Sequence, residues 1–151
     1  MTLQPGDQVP DFTLRRGDGS EFTRADLEGK TTVLVFYPFA FSPVCTDQLN
    51  LYDEVLDEFA AAGASVYGVS CDSSYAQTAF KDRLGVRIEQ LSDFEPKGET
   101  CQAFGVYHPG GFPQRALVIV GPDTRVTWSY QAASPAELPG ANLIFDALAP
   151  A

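Results

Sequence analysis

The sequence is poor in positive charge: ten basic residues stand against twenty acidic ones, for a formal charge of -10. Such a surface repels phosphate backbones and anionic lipids, so neither a nucleic-acid nor a membrane partner is expected. Long apolar runs are lacking as well. The longest, residues 31–41, contains Pro38 and falls well short of the roughly 20 residues that a membrane-spanning helix needs. There is one histidine, His108, in a Pro-Gly-rich segment, and the three cysteines are spread out as Cys45, Cys71 and Cys101. That spacing fits neither zinc-ribbon pairs nor a disulfide framework, so no metal is expected and the thiols are expected to be reduced. The stretch from Met1 to Phe12 has neither a basic start nor an apolar core, so no targeting signal is read there and a cytoplasmic location is expected. Internal repeats, low-complexity tracts and long linkers are missing too, and one domain over 1–151 is the expectation. Total charged content is an ordinary 20%, so the acidity points to a soluble protein before it points to a salt-rich cytoplasm.

What is present reads as alternating α/β. Residues 11–14 and 20–23 flank a connection carrying Gly17, Asp18 and Gly19, which suits an opening hairpin. After a brief turn at 26–29, the run 31–37 is β-branched and aromatic without polar alternation, the pattern of a strand covered on both faces. Leu49, Tyr52, Val55, Leu56 and Phe59 recur at helical spacing up to Gly63, which predicts one amphipathic helix that Cys45 opens. A second buried strand follows at 64–70. Ser73 and Ser74 can cap a helix that runs through Leu84 to Gly85. Shorter signals predict a strand at 88–91, a helix at 100–104, strands at 116–120 and 125–131, and a last helix at 141–148. The tight turn Gly121 to Thr124 makes the last two strands antiparallel, whereas helix-linked strands are parallel. The expected architecture is a mixed, mostly parallel central sheet with helices on both faces and an N-terminal β-hairpin.

Chemistry concentrates where strand 31–37 gives way to Pro38-Phe39-Ala40-Phe41-Ser42-Pro43-Val44-Cys45. A cysteine is more often a small buried hydrophobe than a reactive group. At a helix N-terminus, however, unpaired backbone N–H groups and the positive end of the helix dipole favour thiolate, which is the nucleophile.

The pattern Pro38, Ser42, Cys45 resembles the Pro-x-x-x-Thr/Ser-x-x-Cys signature of the peroxiredoxins. Pro10 to Leu14 resembles the family's opening, Val69 to Ser73 its Val-Ser-x-Asp-Ser segment, and Leu91 to Asp93 another landmark. Phe104-Gly105-Val106 and Arg115 to Val120 stand where the family has an aromatic-Gly-Val and an Arg-bearing strand. The resemblance spans residues 5 to 130 and is nearest to the AhpE-like and bacterioferritin-comigratory (PrxQ-like) group. It implies a thioredoxin-like fold and a thiol-dependent peroxidase that needs no cofactor. Cys45 would attack a hydrogen peroxide or organic hydroperoxide oxygen and become a sulfenic acid. Ser42 would align the O–O bond, Arg115 would stabilise negative charge on sulfur and peroxide, and Pro38 would wall the pocket. Ser42 also suits an N-cap, and an arginine before a buried strand is by itself more often a solvated edge residue. Gln48, on the same helix, could face the arginine.

PrxQ-like members that resolve on this helix carry a second cysteine five residues after the first, where this chain has Asn50. The expectation is therefore a one-cysteine cycle reset by an external thiol or a thioredoxin- or glutaredoxin-like protein, with Cys71 or Cys101 as alternative resolving groups. Dimers are common in the resembled family, and the aromatic loop offers a homodimer face, although single exposed aromatics are ordinary. Two rivals remain beside this reading. Thioredoxin-type dithiol exchange needs Cys-x-x-Cys, and Ser42 occupies the first position. A redox sensor or interaction domain would use the same activated Cys45.

Overall fold

The structure, a computed structural model, describes residues 2–149; the ends of the expected domain, Met1, Pro150 and Ala151, lie outside them. Two short strands, β1 (Thr13–Arg15) and β2 (Glu21–Thr23), pair as the opening hairpin. A 3-10 turn at Arg24–Leu27 leads into β3 (Thr31–Phe36), then α1 (Pro43–Glu54), α2 (Leu56–Ala61) and β4 (Ala64–Ser70). Next come α3 (Ser74–Leu84), β5 (Glu89–Ser92) and α4 (Glu99–Ala103). The chain closes with β6 (Tyr107–His108), β7 (Phe112–Pro113), β8 (Ala116–Val120), β9 (Val126–Gln131) and α5 (Ala141–Leu148).

Seven strands form one sheet in the order β2-β1-β5-β4-β3-β8-β9. The helix-linked strands β3, β4 and β5 are parallel, and β8 and β9 run antiparallel. Alternation along β3 sends Val33, Val35 and Tyr37 to one face, against Leu49 and Tyr52 of α1, Phe59 of α2, Phe80 of α3 and Ile144 of α5. Leu34 and Phe36 point to the other face, against Phe22 of the hairpin and Cys101 and Phe104 at α4. Helices thus cover both faces, as the apolar strands required.

The amphipathic stretch 47–63 is two helices, which corrects the expectation of one. At the break the carbonyl of Asp53 accepts from the Val55 N–H and from the guanidinium of Arg87, while the Asp53 carboxylate accepts the Arg87 backbone N–H. Val55 leaves the helical region there, with φ -112 and ψ 19. Apolar spacing survives such a break, so periodicity could not reveal it. The β6-β7 pair, in the Pro-Gly-rich segment, was not anticipated because two-residue strands carry no periodic signal. By contrast α3 starts and stops as read: Ser73 Oγ accepts from Ala76 N, and Gly85 takes the left-handed φ of 68 that ends the helix.

Phe59 links these layers, stacking on Phe145 at 4.4 Å and meeting the edge of Tyr52 at 6.4 Å. Phe59→Ala is expected to destabilise the chain by about 3–5 kcal/mol, read as a lowered urea midpoint at unchanged slope.

Candidate active site

Sheet order builds the site. The pairing Phe36↔Ala116 leaves Tyr37 and Arg115 as neighbours just past the ends of β3 and β8. Phe36↔Val69 does the same for the chain leaving β4. Loop 38–42 then reverses direction at Phe41, a non-glycine residue with φ 71, a conformation that costs of order 1–3 kcal/mol and persists only where its surroundings hold it. The Phe41 ring packs on Phe80 at 5.1 Å, and the N–H of Ala40 donates to Asp72 Oδ2 at 2.8 Å. The same Asp72 oxygen accepts from Ser70 Oγ at 2.8 Å, so the loop is tied to the segment that follows β4.

α1 begins at Pro43, whose missing N–H costs nothing in a first helical turn. Cys45 is therefore in the first turn, and it is fully buried. Arg115, only 2% exposed, reaches it: Nη2 donates to Cys45 Sγ at 3.2 Å. Its Nη1 donates to Gln48 Oε1 at 2.5 Å and its Nε to the Pro135 carbonyl at 2.9 Å. The fork is held on three sides, which fixes one charged donor against the sulfur. Gln48 Nε2 donates in turn to Tyr52 Oη at 3.2 Å, and Tyr52 Oη donates to the Pro139 carbonyl at 2.7 Å. Burial pushes the Tyr52 phenol up to about 12, so it stays a donor at neutral pH.

Ser42 occupies the N-cap position but makes no side-chain cap bond; its Oγ donates to the Phe39 carbonyl at 2.8 Å. Its lone pairs stay available to accept from a guest. Pro38 is buried and lines, with Phe39, Ser42, Val44, Phe112, Arg115 and Pro135, a pocket of about 300 Å³. Cys45 is not on that wall; Arg115, which touches its sulfur, is. The structure thus brings Pro38, Ser42, Cys45, Gln48 and Arg115 to one place. The Pro135 carbonyl and Tyr52 complete it and were not anticipated: a backbone carbonyl has no residue signature, while Tyr52 stands one helical turn beyond Gln48, a spacing that could have suggested it.

Cys71 and Cys101 lie elsewhere, in the core of the opposite face of the sheet, whereas Cys45 belongs to the core beside α1. With Asp93 they bring one Sγ each and a carboxylate oxygen within 4.8 Å of one another. Among the described residues this is the sole such grouping of metal-ligand types. Both Asp93 oxygens already accept backbone N–H groups, from Thr100 at 3.1 Å and Cys101 at 2.8 Å, so the carboxylate serves to cap α4.

Burial, and to a smaller extent Glu99, raises Asp93 above its ordinary carboxyl value of 3.8. Between the unfolded and folded values the folded chain keeps a proton that the unfolded chain has lost, so stability falls as pH rises through that window and is level above it. The slope from this one proton is at most about 1.4 kcal/mol per pH unit. Urea midpoints of the wild type and of Asp93→Asn, followed upward from pH 4, are expected to diverge, the variant lacking this fall.

Among the described residues no helix is long and apolar enough to cross a membrane. A family model described as the AhpC/TSA family matches residues 5–129. A Mycobacterium tuberculosis protein bearing a peroxiredoxin name is 38% identical over 105 residues, 70% of this chain and 66% of that protein. The match therefore spans just under two thirds of that relative's length. Peroxiredoxin Bcp of Escherichia coli is 32% identical over 110 residues, 73% of this chain and 69% of its own. Among solved structures, Enterococcus faecalis AhpC is similar with a TM-score of 0.88 at 27% identity, covering 98% of this chain and 91% of that one. Peroxidoxin BcpB from Mycobacterium tuberculosis is similar with a TM-score of 0.84 at 27% identity, covering 97% and 96%.

Proposed function

The chain belongs to the AhpC/TSA family, with a thioredoxin-like α/β fold, and from that premise we propose that it is a thiol-dependent peroxidase whose reacting atom is Cys45 Sγ. The observation that carries this is the 3.2 Å contact from Arg115 Nη2 to that sulfur. A buried guanidinium held by Gln48 and Pro135 stabilises negative charge on sulfur before reaction and on the departing oxygen during it, without having to reorganise.

A peroxide in the pocket lies against Ser42 and Arg115, with apolar walls for any organic substituent, and reaches the buried sulfur through a small opening of loop 38–44. The sulfur attacks one oxygen, the O–O bond breaks, and a Cys45 sulfenic acid forms while the other oxygen takes a proton and leaves as water or an alcohol. Ser42 Oγ accepts a hydrogen bond from the peroxide and so sets its angle of approach. Electrons return in the end from an external thiol or a thioredoxin- or glutaredoxin-like protein. Three free thiols suit a reducing compartment, the cytoplasm. Phe39 and Phe41, both about half exposed at the rim of the site, supply a face for a homodimer.

A redox sensor would spend its oxidant stoichiometrically. The purified protein is expected instead to consume many equivalents of hydrogen peroxide when dithiothreitol is supplied, and consumption that stops at one equivalent per chain would reject the peroxidase reading.

A further inference from the structure

The cycle just described leaves two thiols unused, and they are neighbours. Cys71 leaves β4 and Cys101 sits on α4, yet their sulfurs and an Asp93 oxygen lie within 4.8 Å of one another. The Cys101 thiol is fully buried, and the backbone N–H of Cys101 donates to Asp93 Oδ2 at 2.8 Å. A disulfide needs its sulfurs at about 2.05 Å, which asks for rotamer changes in a pair already this close.

Cys71 is also the one of the two with a way to Cys45. It lines a pocket of about 220 Å³ together with Pro38 and Phe39, two residues that also line the pocket of Ser42 and Arg115. The β3-β4 register, ending at Phe36↔Val69, brings Cys71 alongside Pro38 where the two strands end. The Ala40 to Asp72 hydrogen bond fastens the loop before Cys45 to the residue after Cys71. Cys101 is fully buried and lines neither of these two pockets.

Resting on the peroxidase reading, we propose that Cys71 and Cys101 form a second redox couple that takes over the oxidation of Cys45, Cys71 as the relay and Cys101 as the terminus. Cys71 Sγ attacks the sulfenic sulfur of Cys45; the S–O bond breaks, an S–S bond forms, and the thiol proton leaves with the hydroxide as water. Cys101 then attacks Cys71 Sγ as its proton passes to the Asp93 carboxylate, one oxygen of which lies within 4.8 Å of both sulfurs. The Cys45–Cys71 bond breaks, a Cys71–Cys101 bond forms, and Cys45 departs as thiolate beside Arg115. Both electrons for the peroxide thus come from the Cys71 and Cys101 thiols, and the external thiol reduces their disulfide. The first exchange needs the start of α1 to open, since Cys45 and Cys71 occupy different cores.

The reduced wild-type protein is treated with one equivalent of hydrogen peroxide, with and without dimedone, alkylated and mapped without reduction. Digestion must cut at acidic as well as basic residues, because no Lys or Arg lies between Cys45 and Cys71. A Cys71–Cys101 link with Cys45 recovered as a free thiol is expected. In Cys71→Ser the link disappears and Cys45 carries the dimedone adduct; in Cys45→Ser the link fails to form at this peroxide dose. A wild-type protein that keeps dimedone on Cys45 while Cys71 and Cys101 are both alkylated would overturn the relay and leave the peroxidase reading intact. So would a link that forms as fast in Cys45→Ser, or stoichiometric zinc on the two thiols. Absence of any adduct on Cys45 in Cys71→Ser, with the peroxide unconsumed, would instead reject the peroxidase reading and the relay with it.

Discussion

Cys45→Ser is expected to lower peroxide consumption by about three orders of magnitude or more, to the background of the thiol donor. A serine hydroxyl is hardly ionised near neutral pH, so Arg115 would face a neutral oxygen that does not attack an O–O bond. The fold should survive, because the smaller hydroxyl still has the Arg115 donor within reach and leaves no polar group stranded. Initial rates with dithiothreitol, alongside a thermal melt followed by circular dichroism, separate the two effects. A folded variant that retained turnover within about tenfold of wild type would transfer the chemistry to another group.

Arg115→Lys should follow with the second-largest loss. A lysine keeps the charge but offers a single ammonium in place of the fork that contacts Cys45 Sγ, Gln48 Oε1 and the Pro135 carbonyl together. Losing one preorganised donor at a site of developing charge costs about 2.7–4 kcal/mol, or roughly 10²–10³ in rate. Stopped-flow oxidation of the thiol at low peroxide measures it directly. Arg115→Met removes the charge as well and strands one buried acceptor, Gln48 Oε1, at about 1–3 kcal/mol, so its urea midpoint should drop alongside its rate. A lysine variant oxidised at the wild-type rate would reduce Arg115 to a structural tie between α1 and the segment at Pro135.

Reading from residues went furthest where the signal was local. The Ser73 cap, the Gly85 stop and the run 64–70 each mark a boundary that the structure reproduces to the residue, because capping and left-handed backbone are settled by a few adjacent groups. The break at Val55 was invisible for the opposite reason: Arg87, from across the fold, donates there to the Asp53 carbonyl. Arg115 shows both sides. Resemblance put it in the site, and nothing in its neighbours did, since an arginine before a strand is ordinarily solvated. Its place beside Cys45 comes from β8 lying antiparallel against β3.

By itself the amino-acid sequence determined the order of the longer strands and of the helical stretches between them, and the placement of one cysteine in the first turn of α1, since propensity, capping and apolar period act within a few residues of chain. Only the tertiary structure decided which distant side chains meet. It sets the guanidinium of Arg115 against Cys45, and Cys71 against Cys101 on the far side of the sheet. Strand order and register govern those meetings, and no residue type carries in its own chemistry the name of its partner across a sheet.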